Sequence, residues 1–201
     1  PVTWWRIGEP DLDEFGVREI DGASWICHGF EKLMRCDALQ ITGDHNIANV
    51  LAALALGSAL DLPMAGLLKG AAGFRGLPHR CQLVRQVNGV RYIDDSKGTN
   101  VGATEAALIG LSSEGAIWLI MGGQGKGQDF SPLQQVVSER CAGLLVLGQA
   151  AAEITDHLGR ATRIEQVNTV EEAVLRASRL ARSGDTVLLS PACASLDMFS
   201  S

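Results

Sequence analysis

Residues 90–108, VRYIDDSKGTNVGATEAAL, change period part-way, and that change constrains the fold more than any other feature of the chain. Val90, Tyr92 and Asp94 alternate with Arg91, Ile93 and Asp95, the period of a strand. From Val101 to Leu108 the spacing becomes that of an Ala-rich helix, with Thr99 or Asn100 placed to cap its first turn. The loop between them carries two carboxylates, a lysine and two hydroxyls. At the carboxyl end of a strand in an open α/β sheet such a loop faces the ligand crevice. A plain solvated turn is the other reading.

The same switch repeats downstream. Apolar runs at 116–121, 144–148, 163–167 and 186–190 read as strands, and 101–111, 132–141, 149–158 and 169–183 as helices. Ser131-Pro132 starts one helix, Thr169 with Glu172 forms a capping box for another, and Gly184 sits where a C-terminal cap belongs. CQLVRQV and VRYIDD flank Asn88-Gly89, a hairpin signal. Regular alternation predicts an α/β fold with a Rossmann-like, doubly wound, mostly parallel sheet. Phe74-Arg75-Gly76-Leu77-Pro78 marks a boundary, dividing the chain into residues 1–76 and 77–201.

The first part is β-rich, then helical. VTWWRI, FGVREI and ASWICHG read as strands, the last two joined at Asp21-Gly22, with Trp4, Trp5 and Trp25 expected to supply apolar packing. A helix from about Gly43 to Leu60 buries Ile47, Val50, Leu51 and Leu54, Pro63 lies just beyond it, and a second helix covers about 65–72. Asn46 and Asn49 share a face near the start of the first helix. They are surface or capping residues, or one of them reads a nucleobase, since an amide offers a donor and an acceptor together. His45 is given no role.

Net charge −6 argues against nucleic acid or an anionic membrane as the main partner, and a 46% hydrophobic fraction supports a real core. No apolar run reaches the roughly 20 residues of a membrane span. Cys27, Cys36, Cys81, Cys141 and Cys193 are scattered and form no CxxC, as in a reduced, cytoplasmic protein. The chain opens on Pro1, without initiator Met or signal peptide, and is expected to be a piece of a longer protein.

Two further loops bear on chemistry. Gly122-Gly123-Gln124-Gly125-Lys126-Gly127 is neither GxGxxG nor a P-loop, because Gly127 stands where a P-loop needs Ser or Thr. It is a flexible connection, or, with Lys126 and Asp129 beyond a strand end, an anion site. Ser190 to Asp197 leaves the last strand through small residues that let backbone amides and the Ser195 hydroxyl approach a ligand. Cys193 lacks a histidine partner and is not expected to be a nucleophile. Arg80 is a surface charge or, beside the boundary, a guanidinium for phosphate or ribose oxygens.

GLPHR (76–80), DDSKGTNVGAT (94–104) and SPACASLDMF (190–199), in that order, resemble the bacterial Mur ligases. The likeness runs from about Gly43 to Phe199, is looser over residues 1–42, and favours the D-glutamate-adding branch. Diaminopimelate-adding members carry DNPR where this chain has GQGKGQDF. The resemblance implies an ATP-dependent ligase that phosphorylates the carboxylate of UDP-N-acetylmuramoyl-L-alanine, after which the amine of D-glutamate attacks the acyl phosphate. It implies that 1–76 ends a central ATP-binding domain and 77–201 is a truncated amino-acid domain of a monomeric, cytoplasmic parent enzyme that inserts in no membrane. Asn49 is expected on the adenine, with Arg80 and Asp95 on the ribose and nearby phosphate, the three converging at a domain seam. Thr99, Lys126, Ser195 and the Leu196 backbone are expected at D-glutamate, with Lys97 catalytic close by. ATP and Mg2+ are the implied cofactors. The phosphate loop, UDP site, carbamylated lysine and magnesium ligands are expected upstream, and no metal ligand is assigned here. A sibling ligase for another amino acid, folylpolyglutamate synthetase included, and a non-catalytic nucleotide-binding module remain as alternatives.

Overall fold

A computed structural model describes residues 3–41, 43–111 and 115–194. The chain forms two compact units, residues 1–76 and 77–201.

In the first unit, strands β1 (Trp4–Trp5), β2 (Glu14–Ile20), β3 (Ala23–His28) and β4 (Glu31–Arg35) make a sheet in that order. β1 runs parallel to β2, and the other neighbours are antiparallel. Asp21 and Gly22 both have positive φ (54° and 75°), the geometry of the tight hairpin turn their sequence implied. Helices α1 (Asp44–Ala59) and α2 (Met64–Gly73) follow. Phe15 and Ile26 from the sheet meet Leu39 and Val50, Leu51, Leu54 and Ala55 of α1 in the core. The tryptophans do not fill it: Trp4 is 62% and Trp5 42% exposed, and Trp25 is half-buried beneath the Lys32 ammonium. β4 was not expected from the sequence, because EKLMR is charged and never more than half-buried, as suits an edge strand.

The second unit is built on a six-stranded sheet. Its strands are β5 (Gln82–Val87), β6 (Val90–Asp94), β7 (Ile117–Gly122), β8 (Cys141–Leu147), β9 (Ile164–Gln166) and β10 (Thr186–Leu189), in the order β5-β6-β10-β7-β8-β9. Only the β5–β6 hairpin is antiparallel, turning at Asn88 (φ 51°) and Gly89 (φ 78°). Helices α3 (Val101–Gly110), α4 (Gln134–Arg140), α5 (Ala151–Leu158) and α6 (Val170–Leu180) cross between strands.

Strand parity sorts the two faces. Ile93, Leu119, Met121, Leu144, Val146 and Leu188 point into a core closed by α3, α4 and α5. Their neighbours Val90, Trp118, Ile120, Leu145, Leu147 and Val187 point the other way, against Ala173 and Ala177 of α6. The sheet is therefore doubly wound, which is why its strands read as continuous apolar runs.

Local details differ from expectation. Cys141 begins β8 instead of ending a helix, because Cys141 pairs with Ile117. Thr169 caps α6 by accepting from the Glu172 N–H at 3.1 Å, but the Glu172 carboxylate accepts from the Asn168 N–H, not from that of Thr169. Gly184 lies beyond the Ala181 cap; its φ of 95° turns the chain into β10, and its N–H donates to Gly89.

Candidate active site

Three loops leave the carboxyl ends of β6, β7 and β10, which is where a doubly wound sheet places its ligands. They are bonded into one platform. The Gly122 N–H donates to Pro191 O at 2.9 Å, Gln124 and Ala194 form an antiparallel bridge, and the Ala192 N–H donates to Gly98 O at 2.8 Å.

In the β6 loop, Asp95 and Asp94 have opposite fates. Asp95 has the parity of Ile93 and turns inward, 6% exposed. Its Oδ2 accepts from the Ser190 hydroxyl at 2.7 Å and its Oδ1 from the Cys81 N–H at 3.1 Å. Ser190 has one proton and gives it to Asp95, so the Thr104 hydroxyl, 2.9 Å away, donates to Ser190. Both Asp95 oxygens thus have partners within the unit, and, against the upward push of burial, the Arg80 charge is near enough to lower the Asp95 pKa. Gly98 makes the cluster possible, since a Cβ there would meet Asp95 Oδ2 at 2.4 Å and Ser190 Oγ at 2.6 Å. Asp94 faces outward, with His79 Nδ1 at 2.7 Å on one oxygen and the Ser96 N–H at 2.8 Å on the other. The Lys97 N–H donates to His79 O, so this loop also holds the segment carrying Arg80.

Burial pushes the Asp95 carboxyl up, and the bonds from Ser190 and Cys81 offset that only in part. Burial also works to raise Asp94, but His79 and Ser96 outweigh it and hold Asp94 below its ordinary value. Burial, with the Asp95 carboxylate beside it, drives the Cys81 thiol up to about 12, so it is not a thiolate at neutral pH. Raised in the fold, Asp95 contributes stability that is present below its unfolded pKa and lost as pH rises through the folded one. Lowered, Asp94 contributes stability that is present above its unfolded pKa and lost as pH falls through the folded one. Asp95→Asn is therefore expected to flatten the decline in stability above about pH 4, and Asp94→Asn to remove part of the loss below about pH 4. Urea midpoints across that range check both, and profiles parallel to wild type would contradict them.

In the β7 loop, Gly122 and Gly123 take φ of 128° and 127°, and Lys126 itself takes 53°. Lys126 stands exposed at the loop tip, as do Lys97, Thr99 and Arg80 on their own segments. Asp129 is bonded within its own turn. Its carboxylate accepts from the Ser131 N–H and hydroxyl (2.9 and 2.7 Å), which holds it below its usual range. Asn100, not Thr99, caps α3, accepting from the Ala103 N–H at 2.9 Å. Thr99 is left with its hydroxyl uncommitted to the cap.

Cys193 is fully buried in the core and serves packing. Ser195 and Leu196 lie outside the described residues. Asn49 is exposed on α1, in the first unit. Among the described residues no three His, Cys, Asp or Glu side chains gather in a way that could hold a metal ion. Two participants escaped sequence reasoning: the His79–Asp94 pair and Gln128. Gln128 Oε1 accepts from the Val101 N–H at 3.3 Å, and its Nε2 donates to Ala192 O at 2.7 Å. These contacts span 27 and 64 residues, so no local pattern announces them.

The model of the Mur ligase glutamate ligase domain matches residues 79–193, more than half of the chain. The chain belongs to the Mur ligase family. UDP-N-acetylmuramoylalanine–D-glutamate ligase of Nitrosococcus oceani is 48% identical over 199 residues, 99% of this chain and 44% of that protein. The Pseudomonas aeruginosa enzyme of the same name is 49% identical over 202 residues, 98% and 45% of the two chains. The chain thus spans less than half the length of these relatives. The fold matches UDP-N-acetylmuramate–alanine ligase of Thermotoga maritima (TM-score 0.61, 17% identity, 90% of this chain and 43% of that one). It also matches Escherichia coli FolC in complex with DHPP and ADP (TM-score 0.63, 22% identity, 90% and 43%).

Proposed function

We propose that this Mur ligase chain is the carboxyl-terminal part of an ATP-dependent ligase that joins D-glutamate to UDP-N-acetylmuramoyl-L-alanine in peptidoglycan precursor synthesis. The observation that carries the reading is near-50% identity along nearly the whole chain to D-glutamate ligases. In this reading 1–76 completes a central ATP-binding domain and 77–201 binds the amino acid. The whole enzyme is a cytoplasmic monomer working on small molecules, and Mg2+ is held by residues outside this chain. No helix among the described residues is long and apolar enough to cross a membrane.

The chemistry follows from the substrates. A carboxylate oxygen takes the γ-phosphoryl group of ATP and ADP leaves. The unprotonated amine attacks the acyl carbon, a tetrahedral intermediate forms, and phosphate departs as the amide closes. Lys126 would neutralise a D-glutamate carboxylate without touching the amine, while Thr99, Ser195 and the Leu196 backbone orient the substrate. Lys97, two residues from Thr99 on the same loop, would stabilise the negative charge that grows as the acyl phosphate is attacked. Asn49 would read the adenine and Arg80 the ribose and phosphate. Asp95 belongs to the same nucleotide set, but its bond to the Cys81 N–H also fixes the backbone next to Arg80.

The full-length protein is expected to release phosphate from ATP only with both UDP-N-acetylmuramoyl-L-alanine and D-glutamate present. The 201-residue chain, which contains no P-loop, is expected to release none. Full-length turnover with L-glutamate on a folate, or with diaminopimelate, would replace this reading with a sibling ligase.

A further inference from the structure

We infer that Gln128 is a positioning residue for the amino-acid site, setting the spacing between the Lys126 ammonium and the Thr99 hydroxyl. The inference rests on the ligase reading above and extends it to a residue that no contact with substrate would reveal.

The case is a closed ring of bonds around Thr99. The Ala192 N–H donates to Gly98 O at 2.8 Å, Gln128 Nε2 donates to Ala192 O at 2.7 Å, and Gln128 Oε1 accepts from the Val101 N–H. Gly98 and Val101 flank the segment carrying Thr99, so one primary amide clasps that segment to the loop after β10. The Val101 N–H is one of the unpaired donors at the start of α3, which makes a side-chain acceptor there more than incidental. A primary amide supplies, on two separate atoms, both the acceptor and the donor that the two ends need.

Lys126 is launched from the same clasp. It lies two residues before Gln128, with only Gly127 between them; Gly127 has φ 69° and open space around it. On the other side, Gln124 is fixed to Ala194 and the Gln128 N–H donates to Gly125 O at 3.1 Å. The turn bearing Lys126 is therefore held at both feet. The inner foot is tied through the Gln128 side chain to the loop that presents Thr99. A cation and a hydroxyl held at fixed separation measure the length of a dicarboxylic amino acid. Freeing one of them should let a shorter acid compete.

The test uses full-length enzyme, with wild-type turnover of D-glutamate measured first. Gln128→Ala is expected to raise the Michaelis constant for D-glutamate about tenfold, equivalent to about 1.4 kcal/mol, and to leave that for ATP within about twofold. Discrimination against D-aspartate, one methylene shorter, should fall by about tenfold, within the range such a difference is worth in a shaped site. Gln128→Glu keeps the length but sets a carboxylate oxygen against Ala192 O, and is expected to be no better than alanine. In a Lys126→Ala background, Gln128→Ala should change D-glutamate kinetics by less than about twofold, because residues coupled through a shared backbone segment are not additive. A uniform fall in all constants with unchanged D-glutamate preference, or full additivity with Lys126→Ala, would overturn the inference while leaving the ligase reading intact. Wild-type enzyme inactive with D-glutamate would overturn both.

Discussion

Gly122→Ala is expected to cost the 77–201 unit about 3 kcal/mol or more, against about 1 kcal/mol for Gly127→Ala a few residues along the same loop. Gly122 ends β7 with φ 128°, a conformation that residues with a Cβ rarely adopt. A Cβ there would meet the Leu147 carbonyl oxygen at 2.0 Å and the Leu147 nitrogen and carbonyl carbon at 2.9 Å. These are backbone atoms of the adjacent strand and cannot swing aside as a side chain would. Relief requires β7 and β8 to separate at their carboxyl ends, which would also pull the Gly123 N–H from Leu147 O. Gly127 also has positive φ, at 69°, but nothing lies within 4 Å of its would-be Cβ. Its replacement carries only the backbone penalty. For a unit of this size 3 kcal/mol corresponds to roughly 10 °C in melting temperature, so thermal and urea denaturation separate the two variants. Equal destabilisation would mean that the β7–β8 junction relaxes freely and that the loop is less constrained than its contacts indicate.

How much of this was legible in the sequence depends on the range over which each feature is decided. The doubly wound sheet was legible because β7 and β8 are buried on both faces and must be apolar throughout, and because Asn88-Gly89 is a local turn signal. β4 was not, since a charged edge strand carries no apolar alternation. Trp4 and Trp5 misled because size and hydrophobicity alone do not say which side of a two-residue strand faces the core. The placing of Lys97, Thr99 and Lys126 on strand-end loops followed from topology. The inward turn of Asp95 was implicit in its parity with Ile93, but a carboxylate reads as exposed until its partners Ser190 and Cys81 are known, 95 and 14 residues away. Gln128 was invisible for the same reason. Loop glutamines are common, and only the fold brings Val101 and Ala192 to its two ends.

Lys126→Ala in the full-length enzyme is expected to raise the Michaelis constant for D-glutamate roughly 30-fold or more, since losing one partner of a desolvated charge pair costs about 2–5 kcal/mol and each 1.4 kcal/mol is tenfold. D-glutamate brings two carboxylates and an amine that must stay unprotonated to attack. The site therefore needs a cation that pairs with an oxygen at a distance from the nitrogen. Lys126, exposed at φ 53° between glycines and on a turn fixed at both feet, has its backbone already placed to present such a charge. The preorganised backbone is what distinguishes it from an ordinary solvated loop lysine, for which truncation changes little. Lys126→Arg keeps the charge but substitutes a broad planar fork for a point donor, and is expected to recover only part of the loss. The Michaelis constant for ATP should move far less, because Asn49 and Arg80, proposed for the nucleotide, lie on other segments. The melting temperature should also stay near wild type, because the Lys126 side chain is exposed and its removal opens no cavity. If D-glutamate kinetics were unchanged in Lys126→Ala at an unchanged melting temperature, the amino-acid carboxylate would have to be held elsewhere. Lys97, the other exposed lysine on this platform, would then be the residue to test.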